Sequence, residues 1–343
     1  MSGVGAAGFS GVGGWWRGVG LILSLELRQR VRGVAWYVIL GVFFALVALV
    51  TVGVWVMTGT WGGTGGTLFS SVVYFVLLLA SLISPALSGN AVNGERESGT
   101  LATIQVTSVT AGQIVIGKWL AAWIASLALL VVTVPFLAIA VGIGEVSALT
   151  VVASLAILTA ELGVLSALGV GLSGVIRKPL FSVVVTYLTV AALSLGTLIA
   201  FTIAGSVTQV TVTQTTISPA YDESADSVAA GCEPPQVDTF TTPRFDPYWG
   251  LLAVNPFVVV ADASYGDFDE RGEPANLFGY VALGVRQAQI APETEVFYDW
   301  CHGDSASYQD DGPTPQELLR SGVPSWFIGL ALQSGLGALA LLG

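Results

Sequence analysis

Five long apolar segments lie between residues 34 and 206, and a sixth covers residues 324–343. Each offers the roughly 20 apolar residues needed to cross about 30 Å of hydrocarbon. Water-soluble cores rarely need helices of that length and uniformity. Charge avoids these segments: 10% of residues are charged, against about 25% in a typical soluble domain. The pattern predicts an all-α polytopic membrane protein with six transmembrane helices. Their expected positions are Val34–Met57, Leu68–Leu87, Ile114–Val141, Val146–Ile176, Leu180–Ala204 and Pro324–Leu342. The sixth has no polar tail, which suggests a trimmed C-terminus.

Basic residues set the orientation. Arg17, Arg28, Arg30 and Arg32 precede the first span, Arg96 and Lys118 lie between the second and third, and Arg177 and Lys178 between the fourth and fifth. All fall on one side if every span crosses, so that side is read as the cytoplasm, with the N-terminus inside. No signal peptide is apparent, because the first span is longer than an h-region and no small-residue cleavage site follows it. Ten Arg against two Lys, with abundant Ala, Gly and Val, suggest a GC-rich bacterial genome. The expected location is a bacterial plasma membrane.

The net charge of −11 is unevenly spread. Residues 206–323 hold 18 of the 23 acidic residues and four of the 12 basic ones. A large acidic extracellular segment is therefore predicted between helices 5 and 6. Nucleic acid would be repelled, and no nucleic-acid motif appears. Both cysteines, Cys232 and Cys301, lie in this segment, where an oxidising exterior permits a disulfide. It would close a loop of about 70 residues, contributing on the order of 4 kcal/mol. Two free thiols are the alternative. His302 is the single histidine, and a Cys-His pair falls short of the about four ligands of a stable metal site, so no metal is expected.

Within this segment, residues 206–245 read as strands or loop. Residues 248–261 are apolar but too short to span, and Pro256 breaks them. They fit a re-entrant or interfacial helix, or the core of a small outer domain. Residues 303–315 read as turns, and Pro315–Ser321 as a helical lead into the sixth span. At the other end, residues 1–14 read as a disordered tail. Residues 15–33 mix Trp15, Trp16, Ile22 and Leu27 with four arginines. They suit an amphipathic helix on the inner membrane surface, or a plain basic anchor.

Gly112–Trp119 reads GQIVIGKW, which mimics a phosphate-binding loop. Trp119 stands where a Mg²⁺-ligating Ser/Thr is required and no strand precedes it. The residues instead make a helix start: Thr110 and Gln113 form a capping box, and Val109 staples against Ile114. Lys118 is then expected to snorkel to the interface. The inner loop 93–109, NGERESGTLATIQVTSV, is too long for a turn. Its charge cluster followed by a short helix over Thr100–Val106 suits a docking element for a cytosolic partner, or a solvated connector.

The run ERESGTLATIQVTSVTAGQIVIGKWLAAW, residues 95–123, resembles the inner-loop signature of ABC-2 type transporter permeases. The layout of elbow helix, six spans and an outer region before the sixth is also similar, as is the NPF at Asn255–Phe257. The outer region is larger than in the simplest members. The resemblance implies an exporter permease that pairs with a second permease copy or paralogue. It also implies that 93–109 docks a separate ATP-binding cassette subunit, which holds ATP and Mg. Glu95, Arg96, Glu97, Gly99 and Leu101 would transmit its stroke, and this chain would hold no cofactor and no catalytic residue.

Glu161 is the one ionisable residue deep in a span. Unpaired, it would cost about 2.5–3.5 kcal/mol, so function is the default reading. It could carry protons, bind a cationic substrate, or hydrogen-bond a neighbouring helix. Gly163, Ala167 and Gly171 follow at four-residue spacing, a face for close helix packing among lipids and neighbours. Two other functions stay open: a proton-coupled secondary transporter using Glu161, and a sensor or scaffold with a ligand-binding outer domain. No paired Asp, Ser/His or metal cluster within the spans suggests an intramembrane enzyme.

Overall fold

The computed structural model describes residues 12–61, 65–97, 110–222, 227–269, 271–301 and 313–343. The chain folds as two compact units. One comprises residues up to 196, 253–282 and 324–343, and the other 197–252 and 283–323. The segment read as one outer region is thus divided, since residues 253–282 belong with the helical unit.

The helical unit begins with α1 (Val12–Arg32), so residues 12–14 are helical rather than part of a disordered tail. Three helices follow: α2 (Val34–Trp61), α3 (Gly65–Ser88) and the short α4 (Asn93–Glu97). The short helix expected over Thr100–Val106, and the Val109 staple, fall outside the described residues. Next is α5 (Ala111–Ile143), whose start carries the Thr110/Gln113 capping box. Then comes α6 (Ala148–Val175), capped by the Ser147 side chain accepting from Thr150 N. The fifth span, Pro179–Val207, is interrupted. It consists of α7 (Pro179–Ala191), a π-helical turn Ala192–Gly196, and α8 (Thr197–Val207). Such a turn frees carbonyls from the regular ladder, and Asn255 Nδ2 donates to Ser194 O at 2.6 Å.

Among the described residues, five helices are therefore long and apolar enough to cross a membrane. The closing helix α13 (Trp326–Leu342) has 17 residues, about 25 Å of rise. It counts as a sixth span when joined to the preceding α12 (Pro315–Ser321) across a break. The core is apolar and continuous: Phe69, Val73, Val76 and Leu77 of α3 meet Leu129 and Phe136 of α5, Leu158 of α6 and Phe278.

Residues 248–261 form two short helices, α9 (Trp249–Ala253) and α10 (Pro256–Ala263). The NPF motif is the start of α10: Asn255 caps it by accepting from Phe257 N at 2.9 Å, and Pro256 occupies the first turn. α10 is buried against α6 and α13, so it is not the core of an outer domain.

In the second unit, β1 (Gln209–Ile217) is central. It pairs antiparallel with β4 (Gln236–Pro243) and parallel with β5 (Glu295–Asp299). β2 (Pro219–Asp222) and β3 (Ser227–Cys232) form a separate ribbon. Cys232 and Cys301 are joined in a disulfide, Cα to Cα 5.6 Å, tying the end of β3 to the residues after β5. α11 (Leu277–Gln287) links the two units along the chain. α12 carries a capping box between Thr314 and Glu317. Most of residues 303–315, read as turns, lie outside the described residues.

Candidate functional site

The inner loop is bolted to the end of α6. Ser173 Oγ accepts from Val92 N at 3.0 Å and Asn93 N at 3.3 Å. Asn93 Nδ2 donates to Ile176 O at 2.6 Å, and Arg96 Nη2 to Gly174 O at 2.9 Å. Arg96 Nη1 also donates to Asn93 Oδ1 at 3.2 Å. Asn93 and Ser173 are fully buried, where hydrogen bonds are costly to lose. The backbone at Glu95 and Glu97 lies in α4, while Gly99 and Leu101 fall outside the described residues. Asn93 and Ser173 were not singled out in the sequence. Asn93 lies two residues before the charge cluster, whereas nothing local marks Ser173.

α1 lies along the start of α5. Gln113 Nε2 donates to Trp15 O at 3.0 Å, and Ile22 packs against Gly117. Lys118 does not snorkel as expected. It is 2% exposed and pairs with Glu26 of α1. A partner one helix away relieves the need to reach water. Glu26 also faces Arg30, whose guanidinium is pulled below its usual range by burial and pushed back up by Glu26. Arg30 Nη2 donates to Leu87 O at 3.2 Å.

Glu161 is fully buried in α6, and neither carboxyl oxygen has a hydrogen-bond partner among the described residues. The packing residues beside it face two neighbours. Gly163 lies under the Trp123 ring of α5, while Ala167 meets Gly337 of α13 and a β-carbon at Gly171 would overlap Ala340. Trp119 and Trp123 stack at 5.5 Å and 13°. Their indole N–H groups donate to Gly163 O at 2.9 Å and Thr159 O at 2.8 Å.

α13 is docked by three polar or close contacts. Asp262 Oδ2, at the end of α10, accepts from Ser325 N at 2.6 Å, Ser325 Oγ at 3.0 Å and Trp326 N at 2.9 Å. Gln333 Nε2 donates to Val254 O at 2.8 Å, and Gly329 abuts Ala253 O. Asp262 was missed; a single acid inside the apolar run FVVVADA was its signal. No cluster of three or more His, Cys, Asp or Glu able to hold a metal occurs among the described residues.

Apolar helices joined by a clamped inner loop, with buried polar groups used for helix docking, are the frame of a multi-pass membrane protein. The model of the CcmB protein family matches residues 19–225, more than half of the chain. The chain belongs to that family, and so to the permeases of ABC transporters. The matched family is CcmB rather than the ABC-2 type permeases that the inner-loop run resembles. The match covers α1, the first five spans and the start of the strand-rich unit. No curated protein matches the chain.

Proposed function

We propose that this chain is the membrane subunit of an ATP-driven exporter working with the mechanics of ABC-2 type permeases. A separate ATP-binding cassette subunit, carrying ATP and Mg, docks on the inner loop 93–109. A second permease, a copy or a paralogue, completes the pathway. The N-terminus and this loop face the cytoplasm of a bacterial cell, and α1 lies at the inner surface as an elbow. The acidic strand-rich unit faces outward, and residues 253–263 dip back toward the spans as a re-entrant element.

The observation that carries the reading is the clamp between the inner loop and α6. A push on α4 reaches Ser173, Gly174 and Ile176 directly through Asn93 and Arg96. α6 packs on α3, α5, α10 and α13. It is therefore placed to pass a movement at the loop to the other spans, as a rigid element with several partners can. Permeases of the CcmB family are components of ABC-type haem exporters, which makes haem the first substrate to try.

The test is purification of tagged protein from native membranes, with co-purifying subunits and ATPase activity measured. The expected result is a stoichiometric ATPase, lost when Glu95, Arg96 and Glu97 are replaced by Ala. Ser173→Val is expected to keep the ATPase bound but to uncouple its activity from transport. A lone permease without ATPase would overturn the reading.

One observation favours a second reading, a proton-coupled transporter. Glu161 is buried with both oxygens lacking a hydrogen bond among the described residues. Transport that survives ATP depletion and is abolished by Glu161→Gln would select it.

A further inference from the structure

Two cavities run along the seam of α6 and α13. The first, about 350 Å³, lies between Trp119 and Trp123 of α5, Ala160 and Gly163 of α6, and Ser334 and Ala338 of α13. Its lining is apolar for a specific reason. Both indole N–H groups are spent on α6 carbonyls, so the ring pair offers faces and no donor. Small residues on α6 and α13 leave the space that the rings do not fill. Ser334 and Ala338 are exposed, so the slot is open along the membrane-facing side of α13. Ser334 offers the one side-chain hydroxyl of the lining, so a strongly polar group there would lose most of its hydrogen bonds.

The second cavity, about 380 Å³, is lined by Val92, Arg96, Gly171, Gly174 and Leu341. Leu341 lines both, so the two adjoin at that side chain. Here the chemistry changes. Arg96 is exposed, and its guanidinium meets only neutral acceptors, Asn93 Oδ1 and Gly174 O. No described carboxylate pairs with it. Arg177 and Lys178, both exposed, follow within four residues of Gly174. Arg96 is the one charged residue lining this end, and the other end is apolar. From Gly174 to Gly163 is 11 residues, roughly 17 Å of helix rise. Half of a hydrocarbon core is about 15 Å.

We propose that this seam binds a phospholipid of the leaflet adjoining the C-terminal end of α6. One acyl chain lies against the Trp119–Trp123 pair and the anionic headgroup sits at Arg96. A basic side chain in a cavity between spans can recognise an anionic headgroup, and the length of the slot matches a single leaflet's chain. The site shares Arg96 with the proposed docking loop, so it is tested on the permease chain alone, without the partner subunit.

The experiment is native mass spectrometry of the full chain, delipidated in detergent and then offered phosphatidylglycerol or phosphatidylcholine with identical chains. One phosphatidylglycerol per chain is expected, favoured over phosphatidylcholine on the order of fivefold from one arginine. Arg96→Gln is expected to erase that preference while phosphatidylcholine binding is unchanged. Ala338→Phe, which fills the slot from its exposed side, is expected to weaken both lipids, while Ala338→Ser restores them. Thermal melting of each variant checks the fold. Equal binding of the two lipids by the parent chain would overturn the proposal. So would unchanged phosphatidylglycerol binding in a well-folded Ala338→Phe variant.

Discussion

Asp262 shows how much one buried carboxylate can hold. Three donors converge on its Oδ2, two of them backbone N–H groups at the start of α13. Asp262→Ala is expected to destabilise by about 1–3 kcal/mol, since buried donors are left without an acceptor. Asp262→Asn, which keeps a carbonyl oxygen, should lose less. Thermal unfolding in detergent compares them. Lys118 gives a second test. Lys118→Met is expected to cost about 3 kcal/mol by stranding Glu26, and adding Glu26→Gln should recover part of it. These two residues also mark where sequence reasoning reached its limit. Lys118 was legible as a basic residue at a helix start, but its burial depends on Glu26, 92 positions away. Asp262 left a local trace, an acid in an apolar run, and its role needed Ser325 to be visible. Glu161 was legible without help, because a charge within a span violates the solvent's rules on its own.

At the level of elements, the hydropathy pattern predicted the spans to within a few residues because lipid solvates every span alike. What it concealed was irregularity. The stretch ALSLG has no Pro and reads as ordinary helix, yet it forms a π turn whose Ser194 carbonyl meets Asn255 from another element. The interruption of the stretch 249–263 was legible from length and Pro256, but the packing of α10 on α6 and α13 was not. α13 comes close to the backbone before α10. A β-carbon at Gly329 would overlap Ala253 O. Gly329→Val is expected to separate α13 from α10 and lower the melting temperature by more than Gly335→Val, where open space surrounds the glycine. Overpacking of this kind costs about 1–3 kcal/mol.

For the whole molecule, the covalent tie in the strand-rich unit sets a stability that depends on redox conditions. Reduction of Cys232–Cys301 is expected to destabilise that unit by about 4 kcal/mol, from the loop of 69 residues it closes. Calorimetry with and without a reductant checks this, and Cys232→Ser with Cys301→Ser should reproduce the reduced transition. The two cysteines were legible as a pair because the chain holds no others, whereas the strand order around them was not, since parallel pairing of β1 with β5 joins segments about 80 residues apart. That separation also bears on how the protein is made. The chain leaves the second unit after residue 252, completes part of the helical unit, returns at 283, and leaves again after 323. Each unit is closed by its most C-terminal piece, residues 283–323 in one and 324–343 in the other. A ribosome usually releases domains that fold one after another as they emerge. Here the strand-rich unit waits for translation to pass residue 323 and the helical unit waits for α13, so both are completed late and almost together, and a nascent chain stalled before residue 323 exposes two unfinished surfaces at once.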